Sequence, residues 1–331
     1  MSMAATQKKV GSSGYCARII RSTMADSVTL MSRALTAHHE DLPGTAFANL
    51  NALVSADANA EILAGICEVS LESLERLIRM CGDLASSIAV LMESEEPTAV
   101  SPMVLERVLG EAVLRICYIF DVGIPPARML VRMAAYQLEA VEDHLHATEA
   151  FGKDGIEEVE ANTAQIHKMH ALLATAGFER TPARRDVFTA SLSLYGQRDN
   201  VDMNATDAYK KYIKVGQWQW ATGSGAIHSR GWFLPNVFGT RSEPPMSSRD
   251  DVAVTVALSV LELSDSFARA ARGFTGVDIN GVLRKNHQRR LGLAGPDIGH
   301  DKQAVHYSDY GAQPEPRRVD GNSSGASFHR A

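Results

Sequence analysis

The stretch 59–94 holds no proline and only two glycines, Gly65 and Gly82. Within it Ile62, Ile66, Val69, Leu74, Leu77, Ile78, Leu84, Ile88 and Leu91 recur at spacings of three and four. That period predicts one long helix or two stacked ones, ended by Pro97. The next stretch, 102–121, is apolar nearly all round: Val104, Leu105, Val108, Leu109, Ala112, Val113, Ile116, Ile119 and Phe120 cover most of a helical circumference. A helix with no polar face belongs at the centre of a fold. Ser101-Pro102 supplies an N-cap followed by proline at the first helical position.

The same reading places a helix from Tyr15 to about His39, stopped by Leu42-Pro43-Gly44, and a short one at 45–56. Further helices follow at 126–150 after Pro125-Pro126, at 154–176 before Gly177, at 248–273 and near 278–291. Thr181-Pro182 is expected to begin a short helix and 195–205 to be a loop, with Asn204 or Thr206 capping the next helix. No run alternates in the manner of a half-buried strand. The fold class is therefore all-α, a multi-helix bundle. Residues 1–14 form a disordered N-terminal tail, 15–291 the helical domain, and 292–331 a disordered tail too poor in aliphatic residues to offset its ordering entropy.

Composition narrows function mainly by exclusion. Apolar residues make up 45% and charged residues 22%, the balance of a globular protein. A net charge of −6 gives no global basic footprint, so nucleic-acid binding is unsupported by net charge. Cys16, Cys67, Cys81 and Cys117 form no C-x-x-C pair, and three of them lie in apolar helical runs as buried thiols. No apolar run reaches the roughly 20 residues of a membrane helix, and the expected location is the cytoplasm. Phosphate-binding glycine loops, H-E-x-x-H and G-x-S-x-G are all missing. No metal and no cofactor is expected.

Three constellations carry chemistry-bearing side chains. Glu111 and Arg115 lie four apart on the central helix, on an arc shared with Val104 and Val108; buried charge there needs a partner. The segment Tyr209–Trp232, read as one helix, puts Trp220, Ser224, His228 and Trp232 on a slowly turning stripe, with Tyr212 on the apolar face. His228 at its rim would act as an acid or base near neutral pH. Arg128, Arg132, Glu139, Asp143 and His146 read as a solvated face with local ion pairs. His167 and His170 share a helix face without a carboxylate or cysteine at a metal-binding spacing. The basic stretch 284–290 (RKNHQRR) reads as a solvated helix end.

GEAVLRICYIFD (110–121), paired with the tryptophan- and glycine-rich segment 212–232, resembles a group of uncharacterised all-helical actinobacterial proteins. These carry an E-x-x-x-R helix and a later S-x-x-x-H helix, and they are distantly similar to HEPN domains. The resemblance implies that His228 matches the histidine of the HEPN R-x4–6-H motif. Arg230 follows it, and Arg115 would supply the cation from another helix. Two functions are therefore expected. One is a helical scaffold or interaction protein with a Glu111–Arg115–His228 buried polar network. The other is HEPN-like RNA processing or nucleotide binding in defence or stress response, with Ser224, Tyr212, Trp220 and Trp232 lining the site. Either admits a homodimer or another protein as partner, and neither involves a membrane.

Overall fold

The computed structural model describes residues 12–36, 42–94, 100–150, 152, 156–182, 190–213, 217–228 and 249–294. The chain divides into Met1–Leu293 and Ala294–Ala331, and of the second unit only Ala294 is among the described residues. Ten helices and one small sheet are present among them. In chain order they are α1 (Ser12–Thr36), α2 (Ala46–Ser55), α3 (Ala60–Glu93), α4 (Val100–Ile119), α5 (Pro126–Glu149) and α6 (Ile156–Thr175). Then come β1 (Glu179–Thr181), β2 (Ser191–Leu194) and β3 (Gln197–Asn200). The last helices are α7 (Ala205–Tyr212), α8 (Gln217–Ile227), α9 (Arg249–Thr275) and α10 (Asn280–Ala294).

The apolar period of 59–94 forms one uninterrupted helix. Its stripe from Leu63 through Leu74, Ile78 and Cys81 to Ile88 and Met92 is buried. That stripe packs on α1 and α4, and α9 packs on the other side of α1 and α4. The all-round apolar helix takes the middle position. Leu109, Val113, Leu114 and Ile116 of α4 are completely buried, as its lack of a polar face requires. Helix α5 lies against α3 and carries α6, β2 and β3 outward. Local chemistry sets the helix starts. Thr45 caps α2 by accepting from Ala48 N at 3.1 Å, and Asn204 caps α7 by accepting from Asp207 N at 3.1 Å. The four cysteines are free and buried, and burial pushes Cys67, Cys81 and Cys117 up to about 12. These thiols are poor nucleophiles.

Several expectations change. Helix α1 begins at Ser12, so 12–14 are helical; the hydroxyl of the buried Ser13 donates to Asp250 at 3.1 Å. At the other end, α10 extends past 291 to Ala294. Thr181 closes strand β1 instead of opening a helix, and 183–189 lie outside the described residues. The supposed loop at 195–205 contains β3, joined to β2 by the two-residue turn Tyr195-Gly196. Both turn residues have positive φ, +51° and +72°, the backbone that a tight right-twisted hairpin requires. These strands escape a period-2 reading because each has only three or four residues. In addition, β2 is buried at Ser191, Leu192 and Leu194 without alternating, and the alternation of β3 is carried by polar residues.

A further change concerns 209–232, which is not one helix. Ile213 caps α7 in an extended conformation (φ −110°, ψ 100°), and α8 starts separately at Gln217. Gly223 explains how α8 approaches the bundle. A Cβ at that position would lie 2.9 Å from the Arg107 Cβ of α4, so only glycine admits this contact.

Candidate functional site

A dense polar cluster lies where α4 ends, α5 begins and β3 and α7 come in from the side. Arg132 is its centre and is 4% exposed. Its Nε donates to Asp199 Oδ2 at 2.7 Å, and its Nη1 donates to the Tyr118 carbonyl at 2.7 Å. The same nitrogen reaches Asp121 Oδ2 at 3.3 Å and the Tyr212 hydroxyl at 3.2 Å. The guanidinium stacks over the Tyr118 ring, 3.7 Å from its centre. Around this centre, Asp199 also accepts from Arg128 Nε at 2.8 Å. Asp121 accepts from Lys211 Nζ at 2.5 Å, from the Tyr212 hydroxyl at 2.7 Å and from Gly123 N at 3.0 Å.

Burial pushes the carboxyls of Asp121 and Asp199 up, but the hydrogen bonds of Lys211 and Tyr212 to the first and of Arg128 and Arg132 to the second hold both below the ordinary carboxylate range. Burial also raises the phenols of Tyr118 and Tyr212, which stay protonated and serve as donors. The carboxylates of the cluster are therefore charged and its phenols neutral at neutral pH. The cluster can hold β3 and α7 against α4 and α5. Arg128 and Lys211, which reach solvent, can meet an anion there.

A second cluster lies farther back along α4. Glu106 is buried between α4 and α9 and accepts a hydrogen bond from the Ser259 hydroxyl. Arg107, itself buried, pairs with Glu111 at 2.6 Å, and Tyr209 of α7 lies within electrostatic range of both Glu106 and Arg107. Burial lifts the Glu106 carboxyl to about 7, against the opposing pull of Ser259 and Arg107. This carboxyl can hold or release a proton in the neutral range.

Because its folded value lies above the ordinary 4.5, the native state holds more protons than the unfolded chain between those values. The stabilisation from Glu106 is complete below pH 4.5 and is lost as pH rises through about 7. At roughly 1.4 kcal/mol per unit, the rise from 4.5 to about 7 makes the expected loss about 3–4 kcal/mol. Urea denaturation of wild type and Glu106→Gln at pH 5 and pH 8 measures it. The difference in stability between the two proteins should change across that range, and parallel curves would contradict the assignment.

The expected site residues do not assemble as the sequence suggested. Glu111 is exposed and turns back to Arg107, so it forms no pair with Arg115. Arg115 reaches across to α5, where Glu139 accepts from both of its terminal nitrogens, one of them at 2.8 Å. Eight residues, roughly 12 Å of helix axis, separate Arg115 from Arg107, where α8 touches α4. His228 follows the end of α8 and is exposed; its backbone N–H donates to the Ser224 carbonyl at 3.1 Å. Ser224 is half-buried on α8, and Trp220 falls within the same helix. Tyr212 lies on α7 and belongs to the Arg132 cluster. Trp232 and Arg230 lie outside the described residues. A buried Glu111–Arg115–His228 network is therefore not what these residues form.

The largest correction concerns α5. Arg132 and Glu139, read as part of a solvated face, are both buried, while Asp143 and His146 are exposed. The sequence did carry the signal: Met129, Leu130, Val131, Met133, Ala134 and Ala135 surround Arg132 on every side of the helix. All six are buried, leaving no polar face at that level. Asp199, its main partner, was hidden in a stretch read as a loop. His170 Nε2 lies 3.8 Å from Glu142, which also takes Arg180 at 2.8 Å. No group of three or more metal-ligating side chains occurs among the described residues. No helix among them is long and apolar enough to cross a membrane.

Compared with known proteins, the chain matches no family model, no curated protein and no solved structure.

Proposed function

We propose that this chain is a helical scaffold or interaction protein, with its polar clusters serving to fix how the helices and the sheet are joined. The observation that carries this reading is the Arg132 cluster. Arg132 bonds to four groups from α4, β3, α7 and the turn after α4, and both carboxylates around it are occupied by donors from the same chain. Such a network fixes register instead of presenting a reactive group. Four buried, unpaired thiols suit a reducing compartment, and we place the protein in the cytoplasm.

The alternative, HEPN-like RNA processing, requires Arg115 and His228 to act on one phosphate. Glu139 engages Arg115 on α5, which argues against that use of it within one chain. The test is direct. Purified wild type, Arg115→Ala and His228→Ala are incubated with single-stranded and structured RNA, and cleavage is followed on denaturing gels. The scaffold reading expects all three to match the protein-free control. Cleavage by wild type that disappears in His228→Ala would overturn it.

A further inference from the structure

Among the described residues, helix α10 is attached to the bundle mainly through side chains. Asn286 is its one buried residue, and its backbone stands off from the neighbouring helices. Within 280–294 there are four cations, Arg284, Lys285, Arg289 and Arg290, and no carboxylate. Three of the four meet carboxylates of α1 and α9. Lys285 and Arg289 grip the two oxygens of Asp26 at 2.7 and 2.6 Å. Arg290 bridges Glu262 at 2.7 Å and Asp265 at 2.9 Å.

Below these pairs the contact is still polar. Asn286 Nδ2 donates to Ser264 Oγ and Asp265 Oδ1, both at 2.8 Å, and Ser264 shares a 2.6 Å hydrogen bond with Ser27 of α1. Apolar support comes from the half-buried Val282, Leu283 and Leu293, and the Tyr15 side chain of α1 lies against Gly292. The basic character of 284–290 is thus spent inward, on a complementary acidic seam.

Salt shortens the screening length from about 10 Å at 0.1 M to about 3 Å at 1 M, and it weakens ion pairs according to how far water reaches them: Lys285 is exposed, Arg289, Arg290, Asp26 and Glu262 are mostly covered and Asp265 is buried, so the Lys285–Asp26 pair yields first. A helix held mainly by such pairs can leave without exposing a large apolar face. The seam it uncovers is lined by Asp26, Ser27, Glu262, Ser264 and Asp265, which water solvates readily.

We propose that the seam between α1 and α9 is a docking site for a basic helix, filled in the resting chain by α10 through a releasable ionic latch. The occupant in trans is the same helix from a second copy of this chain. Because its contacts are made by long side chains and not by a shared apolar core, they can form between molecules as well as within one.

Hydrogen exchange on the full-length protein tests the latch. Amide protection in α10 should fall by about tenfold or more between 0.05 and 1 M salt while α4 is unchanged. Asp26→Asn should reproduce the loss at low salt. Protection of α10 that ignores salt, or that falls together with α4, would overturn the latch. The docking site is tested with a fluorescent peptide copy of 280–294. It should bind the full-length Lys285→Gln/Arg289→Gln protein, whose own latch is weakened, at least about tenfold more tightly than wild type. That gain should vanish at 1 M salt. Circular dichroism checks that the variant is folded, and Arg290→Gln replaces it if it is not. Equal binding to variant and wild type, or none to either, would overturn the docking site.

Discussion

Replacing Arg132 with alanine should cost about 3–5 kcal/mol, among the largest effects of any single substitution outside the apolar core. The arginine is 4% exposed, and removing it leaves two carboxylates, Asp121 and Asp199, without their central partner in a site that water reaches poorly. Asp121 keeps Lys211 and Tyr212, and Asp199 keeps Arg128, so the penalty is that of two largely buried carboxylates each short of a charged partner, which exceeds the modest net value of the intact pairs. Urea denaturation at pH 7 measures it. The exposed pair of Arg76 with Glu72 on α3 provides the control, since Arg76→Ala there should change stability by less than about 0.5 kcal/mol.

The sign of the pH response separates this cluster from Glu106. Asp121 and Asp199 sit below the ordinary 3.8, so their stabilisation is present above that value and is lost as pH falls below it. The Arg132→Ala protein should therefore show a weaker acid transition than wild type. If Arg132→Ala melts like Arg76→Ala, the cluster does not hold β3 and α7 in place, and the scaffold reading loses its main support.

Phe274→Ala should cost a similar amount, about 3–5 kcal/mol, for a different reason. Phe274 is completely buried near the end of α9, stacked on Phe120 at 4.0 Å and edge-on to Phe47 at 5.4 Å. It thereby joins α9, the end of α4 and α2 through aromatic contacts. Truncation removes the transfer free energy of the ring and leaves a cavity that three helices cannot easily close. Phe274→Leu, which keeps most of the volume, should recover much of the loss. Thermal unfolding of the three proteins orders them: wild type first, Phe274→Leu next, Phe274→Ala last. Unlike the loss at Arg132, this one should not change with pH. Equal melting of Phe274→Leu and Phe274→Ala would show that the packing volume is not what matters there.

The fold was readable where one kind of pattern dominated over many residues. The apolar period of 59–94 became α3, and the absence of a polar face in 102–121 put α4 at the centre, because burial of apolar surface decides both. Gly177, Asn204 and Pro125-Pro126 marked helix boundaries through backbone chemistry that acts locally. The hairpin was missed because its strands are short and the exposed one is polar, so pairing with a neighbour, and not internal period, makes them strands.

The candidate site was much less readable. Charges four apart on one helix invite local pairing, and Glu111 was assigned to Arg115 on that basis. The folded chain offered Arg115 a better, two-pronged partner in Glu139 on a different helix. Arg132 found Asp199 sixty-seven residues away, across a strand no periodicity had announced. The sequence by itself determined the long helices and which of them is innermost, because hydrophobic burial sums over many residues and tolerates local error. Only the tertiary structure decided which charge meets which. A hydrogen-bonded pair depends on a separation of about 3 Å between two atoms, and that distance exists only after the helices have packed.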